Sequence, residues 1–224
     1  MNTLSLTARL RSTGCNYADR MTHTPQIRKA IQFAARKHHG QMRAGKEPLP
    51  YITHLFSVAL LVAEDGAHDD VVTAALLHDT LEDTDTTREE LVAAFNERVA
   101  ALVESVSEIK EMNGKNLDWR VYKENYLALI ERADEHALVI AIADKVDNVE
   151  SRVEGYEKEG ATFLTRWKRP NEDYLWFYGE ALRIAQMRLP EHPLTKRYAE
   201  AHAKQLEIFA GKQESRMERS DLLP

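Results

Sequence analysis

The chain has 224 residues, 43% of them hydrophobic and 29% charged, enough to bury the core of one domain of moderate size. A net charge of −6 argues against a general nucleic-acid binder and leaves room only for a local basic pocket. The single cysteine, Cys15, excludes an internal disulfide, and no apolar run approaches the roughly 18–20 residues that span a bilayer, so a cytoplasmic protein without a membrane partner is the expectation.

Residues 1–23 hold Arg9, Arg11 and Arg20 but no secretory apolar core, and they read as a flexible tail rather than a targeting segment. Thr24-Pro25 is an N-cap followed by proline at the first helical position, and Ile27, Ile31, Ala34 and Ala35 carry that helix to about residue 38. Residues 40–50, with two glycines and two prolines, form a loop long enough to suggest a role in binding. Helices are predicted over 51–64 and, after a polar turn, over 69–82. Thr87 and Glu90 form a capping box that opens a short helix, and another helix covers 96–110.

Asn113-Gly114 lies in a predicted loop over 112–117, and a helix follows over 118–132. Asp134 caps an apolar segment, 137–149, whose length and alanines favour a buried helix over a strand. Residues 155–170 read as a looser connection, 171–188 and 194–210 as helices, and 211–224 as a flexible tail. No strand alternation or repeat is visible, so the expectation is an all-α single domain over 24–210 with about eight helices.

Three clusters carry chemistry. They are His54, His78-Asp79 followed by Glu82-Asp83, and Asp144 with Asn148 one turn later. Two imidazoles and two carboxylates suit a borderline divalent ion such as Mn²⁺, Fe²⁺ or Zn²⁺. If one helix runs through residue 82, His78 and Glu82 share a face while Asp79 and Asp83 share its neighbour. Carboxylates beside the ligands can orient or deprotonate an attacking water and pass a proton to a leaving group. Asp144 ends the run Leu138 to Ala143, so its charge is expected to be partly buried and to require a partner or a metal. Acids at 82–85 sit where they oppose the dipole of a helix ending there, a misfit that a nearby cation relieves. Each cluster alone has an ordinary explanation: a satisfied histidine, an exposed acidic helix end, or an Asp144–Lys145 ion pair. Together, and in this order, they favour a metal site.

In this arrangement the chain resembles the HD superfamily, whose signature is matched by His54, His78-Asp79 and Asp144. The likeness is strongest to the hydrolase domain of RelA/SpoT-type proteins and to the stand-alone small alarmone hydrolases. It runs over about residues 30–152. His39-Gly40-Gln41-Met42-Arg43, Pro50-Tyr51-Ile52-Thr53-His54, the segment from Ala74 to Thr84, and Ala143-Asp144-Lys145 with Asn148 carry it. The resemblance implies a helical HD bundle in which His54, His78, Asp79 and Asp144 bind one Mn²⁺ and Glu82 and Asp83 act on the attacking water. It implies hydrolysis of the 3′-pyrophosphate of ppGpp or pppGpp, with Arg43 packing on the guanine, Lys46 in the same loop, Asn148 on the ribose, Ser151 near the base and Lys110 on the phosphate side. The chain departs from the family at Leu55, which replaces a common proline, and at Lys145-Val146-Asp147-Asn148, which stands in place of Arg-Leu-His-Asn. The residues after the matched stretch are too few for a synthetase domain, and Tyr174, Trp176, Phe177 and Tyr178 among them are expected to be core or lid. Two alternatives stay open. One is an HD phosphohydrolase for another nucleotide (NADPH, a nucleoside monophosphate or an adenosine alarmone). The other is a non-catalytic nucleotide-sensing module. The sequence does not decide between monomer and homo-oligomer.

Overall fold

Helical periodicity becomes eleven helices and one small hairpin among the described residues of a computed structural model, which are 23–43, 45–64 and 66–210. The tails expected at the two ends lie outside them, apart from His23. The first helices are α1 (Pro25–Lys37), capped by Thr24 Oγ1 accepting from the Ile27 N–H, and α2 (Ile52–Glu64). They are followed by α3 (Asp69–Leu77), α4 (Thr80–Asp83), α5 (Arg88–Ala94), α6 (Glu97–Glu104) and α7 (Trp119–Arg132). The last are α8 (Glu135–Glu159), α9 (Ala161–Leu164), α10 (Asn171–Arg188) and α11 (Pro193–Ala210).

The centre of the fold is α8, with α2, α3, α7, α10 and α11 packed around it. Every residue from Ala137 to Val146 is buried, so this stretch of the helix is covered on all sides, as its unbroken apolar run requires. Asp134 accepts from the Ala137 N–H at 2.9 Å and fixes where it starts. None of the helices is long and apolar enough to cross a membrane.

Four expectations need correction. The helix predicted over 69–82 breaks at His78-Asp79. His78 Nδ1 donates to the Ala75 carbonyl and Thr80 Oγ1 to the Leu77 carbonyl, and these side chains take over acceptors that a continuing helix would use. The helix predicted over 96–110 stops at Glu104, where Ser105 and Ser107 hydroxyls bond the Ala101 and Val103 carbonyls. The loop at 112–117 contains a hairpin, β1 (Glu111–Met112) paired antiparallel with β2 (Lys115–Asn116). Its turn residues Asn113 and Gly114 have φ of 52° and 73°, the mirror-image turn that Asn-Gly favours. Finally, α8 runs past Gly155 and ends at Gly160 (φ 63°). Gly155 is there for space, since a Cβ would lie 2.2 Å from the buried Phe163 ring.

Candidate metal centre

The break between α3 and α4 sets up the site. It leaves Asp79 with φ −93° and ψ 0° between the two helices, with its carbonyl accepting from the Asp83 N–H at 2.9 Å. His54 comes from the first turn of α2, and Asp144 from the middle of α8. Tertiary packing of α2, α3 and α8 therefore brings together residues ninety positions apart in the chain.

His54 Nε2 lies 3.1 Å from Asp144 Oδ1 and 3.6 Å from Asp79 Oδ2. His78 Nε2 lies 3.2 Å from Asp79 Oδ2 and 3.8 Å from Asp144 Oδ1. Donor atoms of His54, His78 and Asp144, all buried, fall within 4.8 Å of one another. Asp79 joins them from the side of a small cavity, steadied by the Tyr51 hydroxyl, which donates to its Oδ2 at 2.7 Å.

Whether a cation fits is decided by the ring nitrogens that face away. His78 Nδ1 is 2.8 Å from the Ala75 carbonyl, an acceptor only, so this nitrogen carries the proton. His54 Nδ1 is 2.6 Å from Asp147 Oδ2, which fixes the same tautomer. Both Nε2 atoms therefore face the carboxylates and are the ring atoms available to a cation, and His78 Nε2 is buried with no hydrogen-bond partner among the described residues. Two anchored imidazoles and two carboxylates around one gap are a donor set that suits a divalent first-row ion.

Without an ion, the groups neutralise one another. Burial pushes the Asp79 and Asp144 carboxyls up, but His78 beside Asp79, and Lys145 with the two imidazoles beside Asp144, hold both well below the usual carboxylate range. Burial works against charge on His78 and His54, yet Asp79 and Asp144 raise the first, and Asp144 and Asp147 raise the second. Asp144 and Lys145 also form a buried ion pair, the ordinary explanation weighed for Asp144, and this leaves its Oδ1 facing the two histidines.

Two cavities flank the cluster. The smaller, about 300 Å³, is lined by Glu82, Asp83, Lys110, Glu108, Lys123 and Asn148, among others. Lys110 Nζ lies 2.9 Å from Asp83 Oδ1 and 3.3 Å from Glu82 Oε1, where the attraction of both acids outweighs burial and raises its pKa. Burial, then Glu108 and Asp79, push the Glu82 carboxyl up to about 8 against the pull of Lys110. The helix-dipole argument for these acids does not survive. Glu82 and Asp83 lie in the single turn of α4 and not at the end of a long helix, so cavity burial, not the dipole, sets their environment. The shared-face spacing that assumed one continuous helix fails for the same reason.

The larger cavity, about 760 Å³, is lined by Arg43, Lys46, Ser151, Asp147 and His54, and walled by Glu150, Glu154 and Glu159. Arg43 bridges Asp147 Oδ2 at 2.7 Å and Asn148 Oδ1 at 3.0 Å, while Lys46 is exposed and its backbone N–H is held by Glu159. The sequence-predicted residues thus divide. The four ligand candidates meet, Glu82, Asp83 and Lys110 share the small cavity, and Arg43, Lys46 and Ser151 share the large one. Asn148 contacts Arg43 on one side and Asp144 on the other. Of the aromatics expected as core or lid, Phe177 and Tyr178 are buried and Tyr174 half-buried, and all three also line the small cavity.

Sequence reasoning missed Tyr51, Glu108, Lys123 and the role of Asp147. Tyr51 lies in a quoted motif, and that was its one available signal. Glu108 and Lys123 form a pair at 2.5 Å that no spacing rule reveals.

Residues 30–162 match the HD-domain family. The guanosine-3′,5′-bis(diphosphate) 3′-pyrophosphohydrolase of Aquifex aeolicus (strain VF5) is 43% identical over 129 residues, covering 58% of this chain and 18% of that protein. An enzyme of the same name from Danio rerio is 35% identical over 128 residues, 56% of this chain and 68% of the relative. The fold is shared with a solved structure described as a metazoan orthologue of SpoT that hydrolyses ppGpp. The TM-score is 0.70 at 23% identity, over 83% of this chain and 98% of that one.

Proposed function

The chain belongs to the HD-domain family, and from that premise we propose that it hydrolyses the 3′-pyrophosphate of guanosine alarmones, converting ppGpp or pppGpp to GDP or GTP with release of pyrophosphate. The names of the Aquifex and Danio relatives support this reading. The observation that carries it is a buried pair of Nδ1-anchored imidazoles and two carboxylates, set between a lysine- and acid-lined cavity and a larger one holding Arg43.

His54, His78, Asp79 and Asp144 are the ligands in this account, with Mn²⁺ as the ion and Fe²⁺ or Zn²⁺ as alternatives. A divalent ion supplies Lewis acidity there, lowering the pKa of a water and offsetting phosphoryl charge. Asp83 takes the proton of the attacking water as its oxygen bonds to phosphorus. Glu82, whose carboxyl burial and Glu108 push up in the ion-free protein, passes a proton to the ribose 3′ oxygen as the phosphorus–oxygen bond breaks. Lys110 offers charge to the departing pyrophosphate. Arg43, Lys46, Asn148 and Ser151 hold the nucleoside side, the guanidinium plane suiting a purine face. The protein acts in the cytoplasm on a small nucleotide, without nucleic acid or membrane.

A second reading keeps the chemistry and changes the nucleotide. The stretch Lys145-Val146-Asp147, which departs from the family pattern and places Asp147 on the larger cavity, favours it. The test is a panel of ppGpp, NADPH, nucleoside monophosphates and an adenosine alarmone with Mn²⁺-loaded protein, ranked by kcat/KM. The proposal predicts ppGpp first, with pyrophosphate as product. Another substrate leading by tenfold or more would overturn the alarmone assignment, and tight binding without turnover would point to a sensing module.

A further inference from the structure

We propose that Asp147 is a positioning residue that ties the larger cavity to the metal centre, because one of its carboxylate oxygens holds both His54 and Arg43. The inference rests on the metal-site reading above. Oδ2 accepts from His54 Nδ1 at 2.6 Å and from Arg43 Nη1 at 2.7 Å, with His54 buried and the other two side chains mostly so. A carboxylate has lone pairs for both donors and no proton to give, so it fixes the His54 proton on Nδ1 and turns Nε2 toward Asp144 and Asp79.

The contact begins a chain of hydrogen bonds that leads back to the ligand candidates. From Asp147 it runs through Arg43 to Asn148 Oδ1 at 3.0 Å and from Asn148 Nδ2 to Asp144 Oδ1 at 2.5 Å, the oxygen that faces His54 Nε2 across 3.1 Å. The arginine of the larger cavity is therefore bonded to residues that orient ligand candidates on both α2 and α8. An imidazole at position 147, which the family pattern carries, offers one neutral acceptor and cannot serve both donors. This chain replaces it with a group that can.

The experiment measures Mn²⁺ affinity by competition with a chelator, and KM and kcat for ppGpp, in the unaltered protein, Asp147→Asn, Asp147→Ala and Arg43→Ala. Loss of a group that orients a metal-binding histidine weakens metal binding about 10–100-fold. Asp147→Ala is expected in that range with KM also raised, and Asp147→Asn, which keeps a neutral acceptor, near the lower end. Arg43→Ala is expected to raise KM while leaving Mn²⁺ affinity within about threefold. Asp147→Ala binding Mn²⁺ within about threefold of the unaltered protein overturns the proposal. Should Asp147→Ala fail to fold, histidine ¹⁵N spectra of the unaltered protein loaded with Zn²⁺ decide. A proton on His54 Nδ1 supports the assignment, and a proton on Nε2 overturns it. Absence of Mn²⁺ binding by the unaltered protein would instead remove the metal-site reading and this inference with it.

Discussion

Glu82→Gln should make the metal-free protein more stable, and increasingly so as pH rises. The Glu82 carboxyl is buried beside Glu108 and Asp79, and its pKa is pushed up to about 8 from 4.5. A carboxyl whose folded pKa lies above its unfolded value favours the folded state only while protonated. Its contribution is fully present below about pH 4.5 and is lost as pH rises through about 8. A difference of that size corresponds to a ceiling of about 5 kcal/mol, and water entry and relaxation of the open cavity bring the expected effect to about 2–3 kcal/mol. Glutamine fills the same space, can keep the hydrogen bond from the Glu108 N–H at 3.1 Å, and never ionises. For a domain of this length that energy is worth roughly 5–10 °C in Tm. The assay is thermal unfolding of chelator-treated protein at pH 5, 7 and 9, wild type against Glu82→Gln. A Tm gap that widens from pH 5 to pH 9 is expected. A gap that is constant, or that narrows, would mean Glu82 is ionised at neutrality, and its assignment as proton donor would fail.

Three other outcomes follow from the packing. Tyr51→Phe removes the hydroxyl bonded to Asp79 Oδ2 at 2.7 Å and should cost about 1.5–3 kcal/mol in denaturant unfolding, the range for a bond to a charged group; no measurable loss would show that this bond contributes nothing. Gly155→Ala improves helix propensity but drives a methyl into Phe163, so a net loss of about 1–2 kcal/mol is expected, and a stabilised variant would contradict the close approach seen here. Arg152 is 1% exposed, packed on Trp167 and Tyr174, and its one hydrogen bond among the described residues goes to Asn171 at 3.2 Å. Arg152→Met should therefore be neutral or stabilising by about 1–2 kcal/mol in the same measurement, whereas a loss above about 2 kcal/mol would reveal a counter-charge.

What the sequence made legible was what periodicity and capping encode. Thr24, Asp118 and Asp134 mark helix starts that the structure keeps, and the run from Leu138 to Ala143 announces a helix covered on every side. That His54, His78 and Asp144 would meet was legible because their order matches the HD signature and a carboxylate ending an apolar run calls for a partner. Other features were set by side chains competing for backbone groups. Nothing in a local pattern shows that His78 and Thr80 take carbonyls from the preceding turn and split a helix in two. Gly155 signals a helix end by propensity, and only the ring of Phe163, eight residues on, explains why a glycine stands inside the helix. Asp147 looked like a departure from a family pattern, and its meaning depends on Arg43 and His54, both about a hundred positions away.

The central claim is best tested by anomalous diffraction from crystals of the protein soaked in Mn²⁺. One ion per chain is predicted, within about 2–2.5 Å of His54 Nε2, His78 Nε2 and a carboxylate oxygen from each of Asp79 and Asp144. A lack of anomalous signal between α2, α3 and α8, or an ion held elsewhere while these four side chains stay as they are, would contradict it.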